Sequence, residues 1–226
     1  MKYRWSRFTA YCWALVLSVC LFGCAKEKPQ IVEITTNQGK ITLQLYEETA
    51  EYRKNFVQLV EDGFYDSLLF HRVIPDMIIQ GGDPESKHAL PGKFLGRGEL
   101  DYTIQPDFQF VHTYGAVSGA RKPDSVNPIK KSSGSQFFIV MGHPVTDRDL
   151  DQVEKEKGFK YTPEQRRLYK LVGGIPSFDK EYSVFGEVKD GMNVVKNISR
   201  LSSDPNDRPV DDVRMYMKIV DNTHEQ

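Results

Sequence analysis

The sequence predicts a mainly β domain, a barrel or sandwich of many short strands with few helices. Three observations carry this reading. Short runs rich in β-branched and aromatic residues recur along the chain, separated by Gly-, Pro- and Asp-rich stretches. Outside one long polar insertion, only two segments have helical periodicity. The 226 residues are 39% hydrophobic and 27% charged, enough apolar content for a single packed core.

Taken in order, residues 31–36 and 40–46 alternate apolar and polar side chains around Asn37-Gln38-Gly39, a hairpin pattern. From 47 to 63 the period lengthens: Tyr52, Phe56, Leu59 and Val60 share one face of a predicted helix, with Thr49 as N-cap and Gly63 as C-cap. Strands are then expected over 68–74, 77–80, 102–104, 116–118, 136–141, 183–188 and 213–220. A second helix fits 191–199, capped by Asp190, with Met192, Val195 and Ile198 on one face. Two polar segments, 121–134 and 142–176, lie outside the strand pattern. Within the second, Thr162-Pro163-Glu164-Gln165 has capping-box chemistry, so one inserted short helix is expected there.

Residues 1–23 have the design of an export signal, with Lys2, Arg4 and Arg7 before an apolar run from Phe8 to Phe22. That run is shorter than the ~20 residues a spanning helix needs. It ends in Leu21-Phe22-Gly23-Cys24, which resembles a bacterial lipobox and makes Cys24 the expected lipidation site. The three cysteines are Cys12, Cys20 and Cys24, so cleavage there would leave no partner for a disulfide. Residues 24–30 then form a polar tether and the folded domain spans 31–226. Ala25 in place of Asp resembles outer-membrane sorting, so the expected location is the cell envelope, at the outer membrane.

Formal charge is −1, from 30 basic and 31 acidic residues, with no dense basic block, which argues against nucleic acid as a partner. The five histidines show no metal-ligand spacing, so neither a metal nor another cofactor is expected. Gly81-Gly82-Asp83 lacks the Lys-Ser/Thr of a phosphate loop and reads as a turn.

Residues 70–83 contain Phe70-His71-Arg72, a Pro75 turn and Gln80-Gly81-Gly82-Asp83, and resemble the cyclophilin signature. Ser135-Gln136-Phe137-Phe138-Ile139 and Tyr182-Ser183-Val184-Phe185-Gly186 resemble two further blocks of that family, in family order. The resemblance implies a closed eight-stranded antiparallel barrel capped by two helices, with a helical insertion around 142–176. It also implies peptidyl-prolyl cis/trans isomerase activity, with the substrate groove on the outer face. Carried over residue by residue, it implies Arg72 and Gln80 as catalytic, with Met77, Ile78, Ala120, Arg121, Phe138, Phe178 and Tyr182 binding substrate. The family's usual Phe, Met and His are here Met77, Ile78 and Tyr182, and Ser177 stands where a Trp helps bind cyclosporin, so weak cyclosporin affinity is expected.

Rotation about an X-Pro bond breaks no covalent bond; the obstacle is amide resonance, a barrier of about 18–20 kcal/mol. A donor aimed at the prolyl nitrogen acts only once resonance is lost, and a guanidinium is suited to that task. Strand alternation puts His71 on the face opposite Arg72, as a satisfied structural histidine, and assigns Phe137 to the core while Phe138 faces the groove. The expected substrates are proline-containing unfolded or exported polypeptides, bound by a monomer held at the membrane through Cys24. The alternative is a cyclophilin-like chaperone or binding module with little turnover, or an insertion that docks a dedicated partner.

Overall fold

The computed structural model describes residues 29–220; the expected signal peptide and Cys24 lie outside them. Strands β1 (Gln30–Thr36) and β2 (Gly39–Leu45) form the expected hairpin, Thr36 pairing with Gly39 across a two-residue turn. Gly39 has φ +129°, and a Cβ there would lie 2.8 Å from a Val194 methyl, so this position requires glycine. Helix α1 (Ala50–Glu61) buries Tyr52, Phe56, Leu59 and Val60. Thr49 precedes it without capping it, because its hydroxyl donates to Tyr46 O at 3.3 Å.

There follow β3 (Phe70–Ile74), β4 (Ile78–Gly81), β5 (Thr103–Ile104), β6 (Ala116–Gly119), β7 (Ser132–Ser133) and β8 (Phe137–Val140). Helices α2 (Asp147–Lys157) and α3 (Pro163–Val172) come next, then β9 (Val184–Asp190), α4 (Met192–Ser199) and β10 (Tyr216–Val220). Eight strands make one curled antiparallel sheet, ordered β10-β1-β2-β9-β6-β8-β4-β3, while β5 and β7 pair separately. Its concave face holds Val32, Ile34, Ile41, Leu43, Phe70, Ile79, Phe137 and Ile139 against α1 and α4. Phe137 is therefore core, as expected, and meets Phe56 edge-on at 5.4 Å.

The expected closed barrel is corrected to an open curl. Strands β3 and β10 are not paired as strands; the chain just before each meets at the single bridge Leu69–Arg214, with Phe70 N–H donating to Val213 O at 2.9 Å and Met215 N–H to Leu68 O at 2.8 Å. Ser67, at φ +70°, breaks the extended backbone on one side of this seam and keeps it short.

The insertion contains two helices where one was expected. Helix α3 has the anticipated capping box, Thr162 N–H donating to Gln165 Oε1 at 2.9 Å and Gln165 N–H to Thr162 Oγ1 at 3.2 Å. Helix α2 carries an equivalent box from Thr146 and Asp149 and ends at Gly158 in the left-handed conformation. Helix α4 starts after Gly191, whose N–H donates to the Asp190 carboxylate at 2.8 Å, and buries Val194, Val195 and Ile198. Among the described residues no helix is long and apolar enough to cross a membrane.

Candidate functional site

The convex face of the sheet carries a second apolar cluster, built from Ile78, Ala116, Ala120, Phe138, Val140, Ile175 and Val184, with Met77, Phe178 and Tyr182 packed on it. Register explains how strands deliver the candidate residues to it. Arg72 of β3 pairs with Gln80 of β4, and Gln80 pairs with Phe138 of β8. The three side chains thus stand in one cross-strand row, each within about 5 Å Cα to Cα of the next. Ile78, two residues from Gln80, adds the next rung on that face.

A groove of about 500 Å³ opens over this row. It is lined by all nine candidate residues: Arg72, Gln80, Met77, Ile78, Ala120, Arg121, Phe138, Phe178 and Tyr182. Its floor is aromatic, with Phe178 and Tyr182 both standing edge-on to Phe138 at 5.7 and 5.3 Å. Ser177 is exposed and is not part of the lining.

The Arg72 side chain is 42% exposed, and among the described residues its hydrogen-bond partner is Asp207, whose carboxylate accepts from Nε at 3.2 Å. Both Nη groups remain available to a ligand. The Gln80 amide bonds away from Arg72: its Nε2 donates to Gln136 Oε1 at 3.1 Å, and Gln136 Nε2 in turn donates to Gly98 O at 2.6 Å. Arg121 is only 7% exposed and committed to its neighbours. Its Nε donates to Glu181 O at 2.7 Å, Nη2 to the Glu181 carboxylate at 2.9 Å, and its Cζ lies 5.0 Å from the Tyr182 ring centre.

Asp83, at the end of the Gln80-Gly81-Gly82-Asp83 turn, pins the far rim of the groove. Its carboxylate accepts from Glu85 N–H at 2.7 Å and Gly96 N–H at 2.5 Å. Gly82 itself packs against the chain leading into β8: at φ +88°, a Cβ would fall 2.2 Å from Ser135 O. The sequence reading missed this rim, Phe94 and Leu95, and its neighbour Asn206 with Arg208, whose Nη1 donates to Leu90 O at 3.0 Å and Lys93 O at 2.8 Å. Both come from loops without periodicity.

His71 does not alternate with Arg72 across the sheet, contrary to the expectation from the sequence. A β-bulge between Phe70 and Arg72 adds one residue to β3, so Phe70 and Val73 both enter the core while His71 and Arg72 line the same groove. The His71 ring is 3% exposed and neither nitrogen makes a well-aligned hydrogen bond, so it is not the satisfied histidine expected. Burial, opposed by the Asp83 carboxylate and reinforced by Arg72 and Arg208, lowers its pKa to about 4. Such a group stabilises the fold while neutral: the unfolded chain takes up the proton near the ordinary histidine value of about 6.5, the folded chain only near 4. Stability is therefore expected to fall as pH drops from 6.5 to 4, by roughly 3 kcal/mol from this group, and His71→Gln should flatten the slope in urea melts across that window. An unchanged slope would contradict the assignment.

Behind the floor, His112 Nδ1 bonds Asp179 Oδ1 at 2.7 Å, and Nε2 approaches Ser118 Oγ at 3.1 Å. The order is that of a hydrolytic triad, but Ser118 and His112 are wholly buried and the serine hydroxyl donates to Ser183 O at 2.9 Å. No acyl group can reach this serine. Among the described residues no group of three or more His, Cys, Asp or Glu is arranged to hold a metal ion.

Residues 31–219 match the family described as "Cyclophilin type peptidyl-prolyl cis-trans isomerase/CLD". A Staphylococcus aureus protein (strain USA300) that carries the provisional name peptidyl-prolyl cis-trans isomerase is 33% identical over 183 residues, covering 80% of this chain and 87% of that protein. A Staphylococcus haemolyticus protein of the same name is 32% identical over 184 residues, covering 80% and 86%. Among solved structures, a Cryptosporidium parvum cyclophilin-type isomerase superposes with a TM-score of 0.62 at 24% identity, covering 86% of this chain and 99% of that one. A second C. parvum structure, in the presence of the dipeptide Ala-Pro, gives 0.58 at 25% identity, covering 85% and 100%.

Proposed function

The chain belongs to the cyclophilin-type peptidyl-prolyl cis-trans isomerase family, and from that premise we propose that its groove turns X-Pro bonds in exported polypeptides at a bacterial envelope, with Arg72 as the donor to the twisted amide. The observation that carries the residue assignment is the cross-strand row of Arg72, Gln80 and Phe138, which sets free guanidinium donors beside an apolar, aromatic-floored pocket. A proline ring fits such a floor, and the Ala-Pro present with the C. parvum cyclophilin supports proline-containing substrates here. With the ring seated over Phe138, the prolyl nitrogen faces the Arg72 edge of the groove.

As the amide twists, the nitrogen lone pair leaves resonance and becomes an acceptor. Only then does an Arg72 N–H gain a partner, so the interaction lowers the barrier without tightening the ground state. Asp207 orients the guanidinium through Nε, and Gln80, fixed by Gln136, presents its remaining amide groups to the substrate backbone. Arg121, already paired with Glu181, contributes its position and backbone to the groove wall. With Ser177 exposed and Tyr182 and Met77 in the pocket, affinity for cyclosporin is low. A lipid on Cys24, followed by the tether 24–30, holds the monomer at the outer membrane among its substrates.

One experiment tests location and activity together. The full-length chain, expressed in a Gram-negative host, is expected to incorporate labelled palmitate and to accelerate cis/trans exchange of an X-Pro peptide in NMR. Cys24→Ser should take up no label, retain its N-terminal segment by intact mass, and keep the exchange activity. An unlabelled wild-type chain would overturn the anchoring, and unaccelerated exchange the activity.

A further inference from the structure

The insertion lies beside the groove and touches none of its open surface, yet its polar side chains converge on one wall. Residues 176–182 form that wall and carry Phe178 and Tyr182. Lys157, at the end of α2, donates to Ser177 O at 2.7 Å, Asp179 O at 2.9 Å and the Glu181 carboxylate at 3.0 Å. Tyr161, between the helices, and Tyr169, in α3, each donate to Asp179 Oδ2 at 2.7 Å. Burial, together with the Asp179 charge, pushes both phenols far above their usual ionisation range, so both remain donors.

Asp179 carries these contacts to the floor of the groove. Its other oxygen accepts from His112 N–H at 2.9 Å and holds the ring through Nδ1, and that ring stacks on Phe138 and stands edge-on to Phe178. The brace is itself rigid. Tyr161 N–H and Arg166 both bond the buried Glu154, tying α3 to α2, and Leu150, Val153, Tyr161 and Tyr169 share a small core.

We propose that the helical insertion is a positioning brace for the proline-binding wall: Lys157, Tyr161 and Tyr169 fix residues 176–182 so that Phe178 and Tyr182 stand upright against Phe138 and set the width of the pocket. The proposal rests on the reading of this groove as the proline site. The three residues touch no substrate and act through Asp179 and the wall. Because Arg72 and Gln80 sit on β3 and β4, outside the reach of the brace, loosening it leaves the transition-state donor in place and weakens the hold on proline in every state. Such a change raises KM and spares kcat.

The test compares full-length wild type, Tyr161→Phe/Tyr169→Phe, Lys157→Met and Arg72→Ala by NMR exchange on one X-Pro peptide over a range of peptide concentrations, well below each variant's melting midpoint. The double variant is expected to raise KM about fivefold with kcat within about twofold, and Lys157→Met to raise KM about threefold. Arg167→Gln, on the exposed face of α3 and paired only with Glu164 among the described residues, serves as the control and should change neither. Midpoints that fall while KM stays within about twofold of wild type in both brace variants would make the insertion merely structural and overturn the proposal. If the double variant does not fold, Lys157→Met decides alone, on the same criterion. Arg72→Ala separates the two readings: loss of kcat there with unchanged KM in the brace variants leaves the groove assignment standing and removes only the brace.

Discussion

Arg72→Ala is expected to lower kcat/KM toward an X-Pro peptide by about 10²–10³, the cost of removing one preorganised donor from a site where charge or lone-pair density develops. The loss should fall on kcat, with KM nearly unchanged, because the nitrogen accepts nothing from Arg72 until the amide has twisted. The fold should survive. Arg72 and Asp207 are a half-exposed pair, at 42% and 45% side-chain exposure, and such pairs contribute no more than about 1 kcal/mol. Arg72→Lys should recover little, since an ammonium offers a hydrated point charge where the guanidinium spends Nε on Asp207 and still has two Nη groups at the groove. NMR exchange measures both variants; activity within about threefold of wild type in Arg72→Ala would remove Arg72 from the chemistry.

Asp179→Ala is expected to be the most damaging single change to stability away from the apolar core. The carboxylate is buried and accepts from His112 twice, from Tyr161 and from Tyr169. Truncation leaves these donors facing a cavity that none of them can fill, a cost of about 3–5 kcal/mol. For a domain of this size each kcal/mol is worth about 2–4 °C, so the melting midpoint should drop by roughly 10 °C. Asp179→Asn keeps the shape and one acceptor and should lose less. A calorimetric shift of under about 3 °C for the alanine variant would show that the cluster is loosely coupled to the fold.

What was legible in the sequence was what depends on local period and on contiguous motifs. The β1–β2 hairpin and the buried face of α1 follow from side chains two, or three and four, residues apart, which share a face by backbone geometry alone. The candidate residues converge because the matched blocks are strands that pair in register, which brings Arg72, Gln80 and Phe138 side by side. Helix α2 is hard to read in the sequence because Leu150 and Val153 are its only aliphatic residues; its signals are the Thr146–Asp149 box and Gly158. The open seam between β3 and β10 could not be read either, since it turns on the backbone of Ser67 and on one long-range bridge. Strict alternation places His71 on the wrong face because a bulge at Phe70–Arg72 breaks the period, and nothing in the run Phe70-His71-Arg72-Val73 marks where an extra residue enters. Asp207, 135 residues from Arg72, lies in a loop whose only local signals are turn residues.

The central claim is that this isomerase stabilises a twisted amide with a fixed donor and moves no proton. A guanidinium donates without giving up a proton, and His71, the histidine lining the groove, is neutral above about pH 4. The most direct measurement is kcat/KM for an X-Pro peptide from pH 6 to pH 9. A profile flat within about twofold is predicted; a limb or bell of tenfold or more, the mark of general acid-base catalysis, would contradict it.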